Sequence, residues 1–151
     1  MNENEAVMNG FVSAAQDVLQ LMLDIEASPA KPESATFESG REEVSVSIGL
    51  TGDLSGEASF HFPRETALEI VKIMSGMEID QVDDFVTSAL GEISNIISGN
   101  AATCLSQQQI NCDILPPRIT TGDTGEAPGA SNAVIQTPAG NMEVALELGT
   151  N

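Results

Sequence analysis

The chain has 151 residues, of which 41% are hydrophobic, and this is enough for one domain with a substantial, mainly aliphatic core. Its formal net charge of -18 argues against direct binding to nucleic acid or to an anionic membrane surface, because both would repel it. A partner that presents lysine or arginine is the natural electrostatic match, the alternative being that the acidity serves solubility or a salt-rich habitat. We expect a single domain over residues 1–151.

The first part of the chain predicts one helix and a linker. Apolar residues recur at intervals of three and four over residues 5–26, which is typical of an amphipathic helix. Pro29 and Pro32 then predict a linker from Ser28 to Gly40. The N-terminus lacks the basic region of a signal peptide, and no apolar run is long enough to span a bilayer. We therefore expect a cytoplasmic location.

Alternating apolar and small polar residues predict two strands, Glu43 to Leu50 and Leu54 to Pro63, which form a hairpin. His61, the only histidine, lies on the polar side of the second strand. No second candidate ligand stands beside it in the sequence. We expect an exposed strand residue rather than a metal ligand or a general base.

Two helices follow the hairpin. The first opens at Pro63 and ends at Gly76, and the second is predicted from Asp80, a favourable capping residue, to about residue 106. Residues 112–120 predict a strand in which Pro116 and Pro117 require an edge or a bulge. A surface loop over residues 121–131 precedes a second hairpin over residues 133–148.

The predicted order of elements is therefore α-β-β-α-α-β-β-β. Helices cluster and strands come in antiparallel pairs, which places the chain in the α+β class. We expect a two-layer α/β sandwich in which the helices pack on a mainly antiparallel sheet.

Common catalytic motifs are missing from the sequence. It contains no phosphate-binding P-loop, no serine-hydrolase elbow and no zinc-protease motif. The acidic pairs Asp83-Asp84 and Glu42-Glu43 are poor metal sites, because adjacent residues do not converge on one ion. Cys104 and Cys112 lie outside any metal-binding or redox motif, and we expect both to be reduced unless residues 106–111 bring them together.

The second long helix has two contrasting faces. An apolar stripe is formed by Val86, Leu90, Ile93 and Ile97. The opposite side carries short or polar residues spaced four, three and four apart, namely Ser88, Glu92, Asn95 and Gly99. Glu92 can bind a cation, and the Asn95 amide can orient a water because it both donates and accepts hydrogen bonds. We expect this face to complete the active site of another molecule.

The pattern Ser88-x3-Glu92-x2-Asn95, with Pro117 twenty-two positions after Asn95, resembles the signature of the CheC/CheX/FliY phosphatases of bacterial chemotaxis. The similarity extends to Thr66-Ala67-Leu68 and to Asp113-Ile114-Leu115-Pro116-Pro117. Members of the CheC type usually carry two such helices. This chain has one convincing copy, which makes it most similar to the CheX type.

The resemblance implies a CheC-like fold and a hydrolase that removes the aspartyl phosphate of a CheY-like response regulator, whose own active site holds Mg²⁺. It implies that Asn95 positions the attacking water, that Glu92 pairs with the regulator's lysine, and that the chain needs no cofactor of its own. Partner contacts are expected from Ser88, Gly91, Gly99 and Asp84. The resemblance also implies a homodimer formed through sheet edges, for which the terminal hairpin offers a candidate edge.

Two other functions stay open at this point. One is a non-catalytic module of the same fold that binds a response regulator or a flagellar component. The other is a structural domain whose polar helix face is merely solvated. Intact Glu92 and Asn95 argue against the first alternative, and the two glycines together with Asn95 argue against the second, because they are poor helix formers.

Overall fold

The computed structural model describes residues 3–30, 43–121 and 131–149, in which three helices cover one face of an antiparallel sheet. The helices are α1 (Glu3–Leu23), α2 (Arg64–Ser75) and α3 (Asp84–Ser106). The strands are β1 (Ser28–Ala30), β2 (Glu43–Gly52), β3 (Ser55–Pro63), β4 (Cys112–Ile114), β5 (Arg118–Thr121), β6 (Ser131–Thr137) and β7 (Gly140–Gly149). The predicted α+β class and the two layers are confirmed.

Both predicted hairpins are present in the sheet, whose strand order is β1-β6-β7-β3-β2-β4 with β5 also paired to β2. Strand β1 was not predicted, and it pairs antiparallel with β6 over Ser28–Ala30. The terminal hairpin β6–β7 therefore lies inside the described sheet, between β1 and β3, and is not the free edge expected for a homodimer. Homodimerisation itself stays a prediction.

The core lies between the helices and the inner face of the sheet. Strand alternation directs Val44, Val46 and Ile48 inward, and each of them is fully buried. The Phe11 ring of α1 and the Phe60 ring of β3 are 6.2 Å apart between centroids, which joins the two layers. The remaining core is mainly aliphatic, as the composition predicts.

His61 lies on the outer face of the sheet, but the prediction that it is exposed is wrong. Its Nδ1 atom is 3.0 Å from Glu43 Oε1 and 2.9 Å from Ser45 Oγ, and only 17% of its side chain is accessible. Serine and carboxylate contact the same ring nitrogen, whereas a catalytic relay uses the two opposite nitrogens. We therefore interpret the cluster as a polar link between β2 and β3.

Helix ends follow local capping chemistry. Asp83, rather than the predicted Asp80, caps α3: its Oδ1 accepts a hydrogen bond from the Val86 N–H at 3.1 Å. Asp80 lies in the preceding loop, where its carbonyl accepts from the Arg64 guanidinium at 2.9 Å. At the end of α2, Gly76 adopts a left-handed φ of 68°, as the sequence predicts.

The strand predicted over residues 112–120 is divided in two. Strands β4 and β5 both pair with β2, and Leu115-Pro116-Pro117 interrupts them at this edge of the sheet. The expected edge position of the two prolines is confirmed. Most of the predicted linker and of the predicted loop over residues 121–131 lies outside the described residues. No helix in the described ranges combines the length and apolar character needed to cross a membrane.

Candidate functional site

The polar face predicted for α3 lies on the accessible side of the helix. The predicted apolar stripe is buried, and Ser88 and Glu92 on the opposite side are exposed. Asn95 and Gly99 continue this face and are half-buried. A Cβ atom built on Gly99 would meet no other atom within 4 Å, so the surface beside Asn95 is open.

Glu92 and Asn95 present unpaired polar groups. Neither side chain makes a hydrogen bond or an ion pair with any described residue. Residues three apart lie on the same side of a helix, about 4.5 Å apart along its axis. A carboxylate and an amide are thus displayed together on a rigid element, and both are available to a second molecule.

Two further predicted contact residues differ in their placement. Asp84 is exposed in the first turn of α3, at the same end as the Asp83 cap. Gly91 is buried, and a Cβ atom built on it would lie 2.9 Å from Ile119 Cδ1 of β5. Because Gly91 faces β5 rather than solvent, we leave it out of the contact surface and assign it a packing role.

The hidden side of α3 contains two buried serines whose hydroxyl groups lack hydrogen-bond partners in the described residues. Ser94 and Ser98 are fully buried one turn apart, and neither Oγ atom has a partner among the described residues. An unpaired buried hydroxyl is unfavourable by about 1–3 kcal/mol. Pro117, the last residue of the signature, is half-buried between β4 and β5.

The polar face leads into a groove that the sequence-based analysis missed. A cavity of about 350 Å³ lies between the last turns of α3 and the start of β4. Its lining residues, which we call the α3–β4 groove, are Ala102, Thr103, Ser106, Asn111, Cys112 and Asp113. Extending the four-and-three spacing beyond Gly99 leads to Thr103 and Ser106, which belong to the side of the groove that α3 forms. The strand wall depends on tertiary structure, and no sequence signal indicates it.

The strand side of the groove is held by a pair of hydrogen bonds. The Asn111 N–H donates to Asp53 Oδ2 at 2.8 Å, and the Asp53 N–H donates to the Asn111 carbonyl at 2.8 Å. Burial raises the pKa of the Cys112 thiol above its ordinary value, and the negative charges of Asp113 and Asp53 raise it further. Cys104 and Cys112 are both free thiols.

The residues that the structure describes form no resident metal centre. Among these residues, no three side chains of histidine, cysteine, aspartate or glutamate come close enough together to hold an ion. The available groups at the α3 face are one carboxylate, one amide and one hydroxyl. These groups can bind a cation and orient water, but they do not form a nucleophile–base pair.

Comparison with known proteins places the chain among chemotaxis phosphatases. The family model described as chemotaxis phosphatase CheX matches residues 44–138, which include every predicted site residue. The chain is 31% identical over 117 residues to the CheY-P phosphatase CheX of Thermotoga maritima, covering 77% of this chain and 76% of that protein.

Solved structures agree with this assignment. CheX from Vibrio vulnificus superposes with a TM-score of 0.81 at 27% identity, covering 95% of this chain and 99% of that one. The CheX of a CheX–CheY–BeF3–Mg²⁺ complex from Borrelia burgdorferi has a TM-score of 0.74 at 27% identity, covering 95% and 97% of the two chains.

Proposed function

The chain belongs to the CheX family of chemotaxis phosphatases, and from this premise we propose that it hydrolyses the aspartyl phosphate of a CheY-like response regulator. The observation that carries the proposal is the display of unpaired Glu92 and Asn95 side chains on the accessible face of α3. This face has the polar groups needed to complete a partner's active site. The relative in the Borrelia burgdorferi complex is found with CheY, which is consistent with such a partner.

The proposed mechanism depends on alignment of a water molecule rather than on covalent catalysis. An acyl phosphate is already reactive, so fixing a water in line with the phosphorus supplies much of the required acceleration. Asn95 would place that water, since its amide oxygen accepts a hydrogen bond from the water while its NH₂ group donates one to a neighbouring oxygen. The Asn95 side chain acts only once the helix has entered the regulator's active site.

Glu92 would act as the anchor of the docked complex. Its exposed carboxylate pairs with the lysine of the regulator's active site, which fixes the helix so that Asn95 faces the phosphoryl group. The short side chain of Ser88 and the missing side chain of Gly99 leave room for the partner on either side. Asp84 extends the acidic contact surface at the beginning of the helix.

The regulator, rather than this chain, would supply the metal ion. Mg²⁺ is present in the complex of the Borrelia burgdorferi relative with CheY, and divalent ions of this kind neutralise the charge of a transferring phosphoryl group. The contribution proposed for this chain is therefore limited to water placement and docking. Chelation of Mg²⁺ is expected to abolish turnover even when the helix face is intact.

The test is phosphate release from phosphorylated CheY-like regulators encoded in the same genome, measured with and without the chain. Asn95→Ala is expected to lower kcat by about 100-fold or more, the scale of losing one preorganised polar group, with little change in KM. Asn100→Ala is the matched control, because Asn100 is exposed on another side of the same helix. Full activity of Asn95→Ala would exclude the proposed role of its amide.

The same assay separates the phosphatase from a non-catalytic binding module. A binding module would form the complex while leaving the lifetime of the phosphoryl group unchanged or longer. The proposed phosphatase shortens that lifetime at substoichiometric amounts. Measuring complex formation and phosphate release on the same samples therefore decides between the two functions.

A further inference from the structure

The α3–β4 groove lies within reach of any protein that docks on Asn95. With an axial rise of about 1.5 Å per residue, Thr103 lies about 12 Å and Ser106 about 16 Å beyond Asn95 along the helix. A specific interface of standard size covers about 800 Å² on each partner, equivalent to a disc of about 16 Å radius. Both residues continue the accessible face of α3 and are exposed. A regulator centred on Asn95 therefore reaches the helical side of the groove at the rim of its interface.

The groove has a negative electrostatic field from several independent sources. It lies at the carboxyl end of α3, where the helix dipole presents partial negative charge, and the last turn of this helix contains no basic residue. Asp113 lines the groove and is exposed, and its carboxylate makes no ion pair with any described residue. The carboxylates of Asp113 and Asp53 both act on Cys112, another lining residue, and raise the pKa of its thiol.

The basic residues that could neutralise this field are engaged elsewhere in the described structure. Arg118 is paired with Glu57 at 2.6 Å, and Lys72 lies 3.7 Å from Glu78. The Arg64 guanidinium donates to the Asp80 carbonyl before the start of α3. Within the described ranges, the α3–β4 groove is thus an acidic recess without a cation of its own.

We infer that the α3–β4 groove receives a lysine or arginine side chain of the docked response regulator, as a second anchor distinct from the Glu92 contact. The inference rests on the proposed function, since it assumes a regulator seated on Asn95. The groove offers hydroxyl and amide groups at Ser106 and Asn111 beside the negative charge of Asp113. The paired hydrogen bonds between Asp53 and Asn111 hold its wall in place before binding, which lowers the entropic cost of docking.

A second anchor has a consequence for the choice of partner. CheY-like regulators share the active-site lysine that Glu92 is proposed to bind, so this contact alone does not discriminate between them. The groove begins about 12–16 Å along α3 from Asn95, so the basic side chain that enters it belongs to the regulator's outer surface, which differs between regulators. The groove would therefore select the regulator, whereas Glu92 and Asn95 would act on whichever regulator is seated.

Charge variants of the groove test the inference. Asp113→Asn is expected to raise KM and the Kd for the regulator about threefold to tenfold, with kcat within twofold of the wild type. Ser106→Lys adds a cation to the groove and should weaken docking more strongly. A lysine in the last turn of a helix is also favourable for the helix, so this variant is expected to fold, and thermal unfolding of the same sample checks that it does.

Matched controls carry the same charge changes outside the groove. Asp17→Asn and Ser13→Lys alter exposed positions of α1 and are expected to leave KM near the wild-type value. Reversal of the partner residue completes the test: a regulator whose basic residue is changed to glutamate should bind Ser106→Lys better than it binds the wild type. Unchanged KM and Kd in both Asp113→Asn and Ser106→Lys would overturn the inference.

Failure of the inference can be distinguished from failure of the proposed function. If Asn95→Ala loses turnover while the groove variants dock normally, the phosphatase mechanism stands and the second anchor is excluded. If the groove variants lower kcat with KM unchanged, the groove affects chemistry rather than docking, which also contradicts the inference. A metal ion is the other possible occupant of the groove, and calorimetry with MgCl₂ alone tests for it. Binding of Mg²⁺ that is lost in Asp113→Asn would make the groove a metal site and would contradict the inference.

Discussion

Asp53 and Asn111 form a reciprocal hydrogen-bonded pair that joins the β2–β3 turn to the segment between α3 and β4. The Asp53 carboxylate accepts from the Asn111 N–H, and the Asn111 carbonyl accepts from the Asp53 N–H, both at 2.8 Å. Asp53→Ala should lower the free energy of unfolding by about 1 kcal/mol, because it removes one of these bonds. Asp53→Asn keeps an acceptor oxygen and should lose less. Urea denaturation of both variants measures the difference, and equal stabilities would show that the side-chain bond contributes nothing.

Gly99 allows stability and docking to be separated. A Cβ atom there meets nothing, so Gly99→Ala should stabilise α3 by up to about 1 kcal/mol through its higher helix propensity. Gly99→Gln should also fold, but its longer side chain would obstruct a partner beside Asn95 and raise KM several-fold. Thermal unfolding and phosphate release on the same preparations measure the two effects. A Gln variant with wild-type KM would place Gly99 outside the interface.

Gly91 differs from Gly99 because its missing Cβ has a close neighbour. A Cβ atom there would lie 2.9 Å from Cδ1 of Ile119, the far end of an exposed side chain that can move. In Gly91→Ala the cost of displacing Ile119 should therefore offset much of the gain in helix propensity, so that Gly91→Ala stabilises the fold less than Gly99→Ala does. The double variant Gly91→Ala with Ile119→Val removes Cδ1 and should be more stable than the variant with Ile119→Val alone. Urea denaturation of these variants tests the pairing, and equal gains at Gly91 with and without Cδ1 would show that this contact carries no cost.

The Glu92 contact should depend on charge and on ionic strength. We expect Glu92→Ala to weaken regulator binding about threefold to tenfold, and Glu92→Lys to weaken it further because two lysines would face each other. Added salt should also weaken wild-type binding, since exposed charges are screened over about 10 Å at 0.1 M. Fluorescence anisotropy with a labelled regulator measures both effects. Glu69→Lys, an exposed position on α2, is the control for net charge.

The Cys112 thiol reports on the electrostatics of the groove. Its pKa lies above the ordinary value of 9.0 because of burial first and of Asp113 and Asp53 next. The rate of Cys112 alkylation, measured against pH in a Cys104→Ser background, should therefore reach half of its maximum above pH 9.0. Asp113→Asn should move that midpoint to lower pH. An unchanged midpoint in Asp113→Asn would show that this carboxylate does not act on the groove.

The raised pKa of the Cys112 thiol also predicts the direction in which the stability of the fold changes with pH. The unfolded chain releases the thiol proton near pH 9.0, whereas the folded chain retains it to higher pH. The contribution of this group to folding is therefore fully present below pH 9.0 and is lost as the pH rises through the folded pKa. Denaturation curves collected between neutral and alkaline pH should show a smaller decline in Cys112→Ser than in the wild type.

Local patterns in the sequence predicted most of the elements and the accessible face of α3. Alternation along residues 43–63 was enough for the first hairpin, and the second was indicated by two strand-forming segments within residues 133–148 that flank the turn at residues 138–141. The four-and-three spacing of Ser88, Glu92, Asn95 and Gly99 was enough for the polar face, because a helix has a fixed angular period. These predictions depend only on residues that are close together in the sequence.

Features that depend on distant residues were not predicted. Strand β1 is three residues long and contains Pro29, so only its pairing with β6 identifies it. The direction of Gly91 toward Ile119 and the strand wall of the groove arise when β4 and β5 pack beside α3. Asp80 and Asp83 are chemically equivalent caps, and the choice between them is made by the path of the preceding loop.

The prolines at the two ends of the described sheet have a consequence for association between copies of the chain. Pro29 occupies the middle of β1, and Pro116 and Pro117 interrupt the opposite edge between β4 and β5. Proline has no N–H, so neither edge presents an unbroken row of donors on which a foreign strand could grow. This arrangement opposes open-ended, amyloid-like stacking of the sheet on further copies of itself.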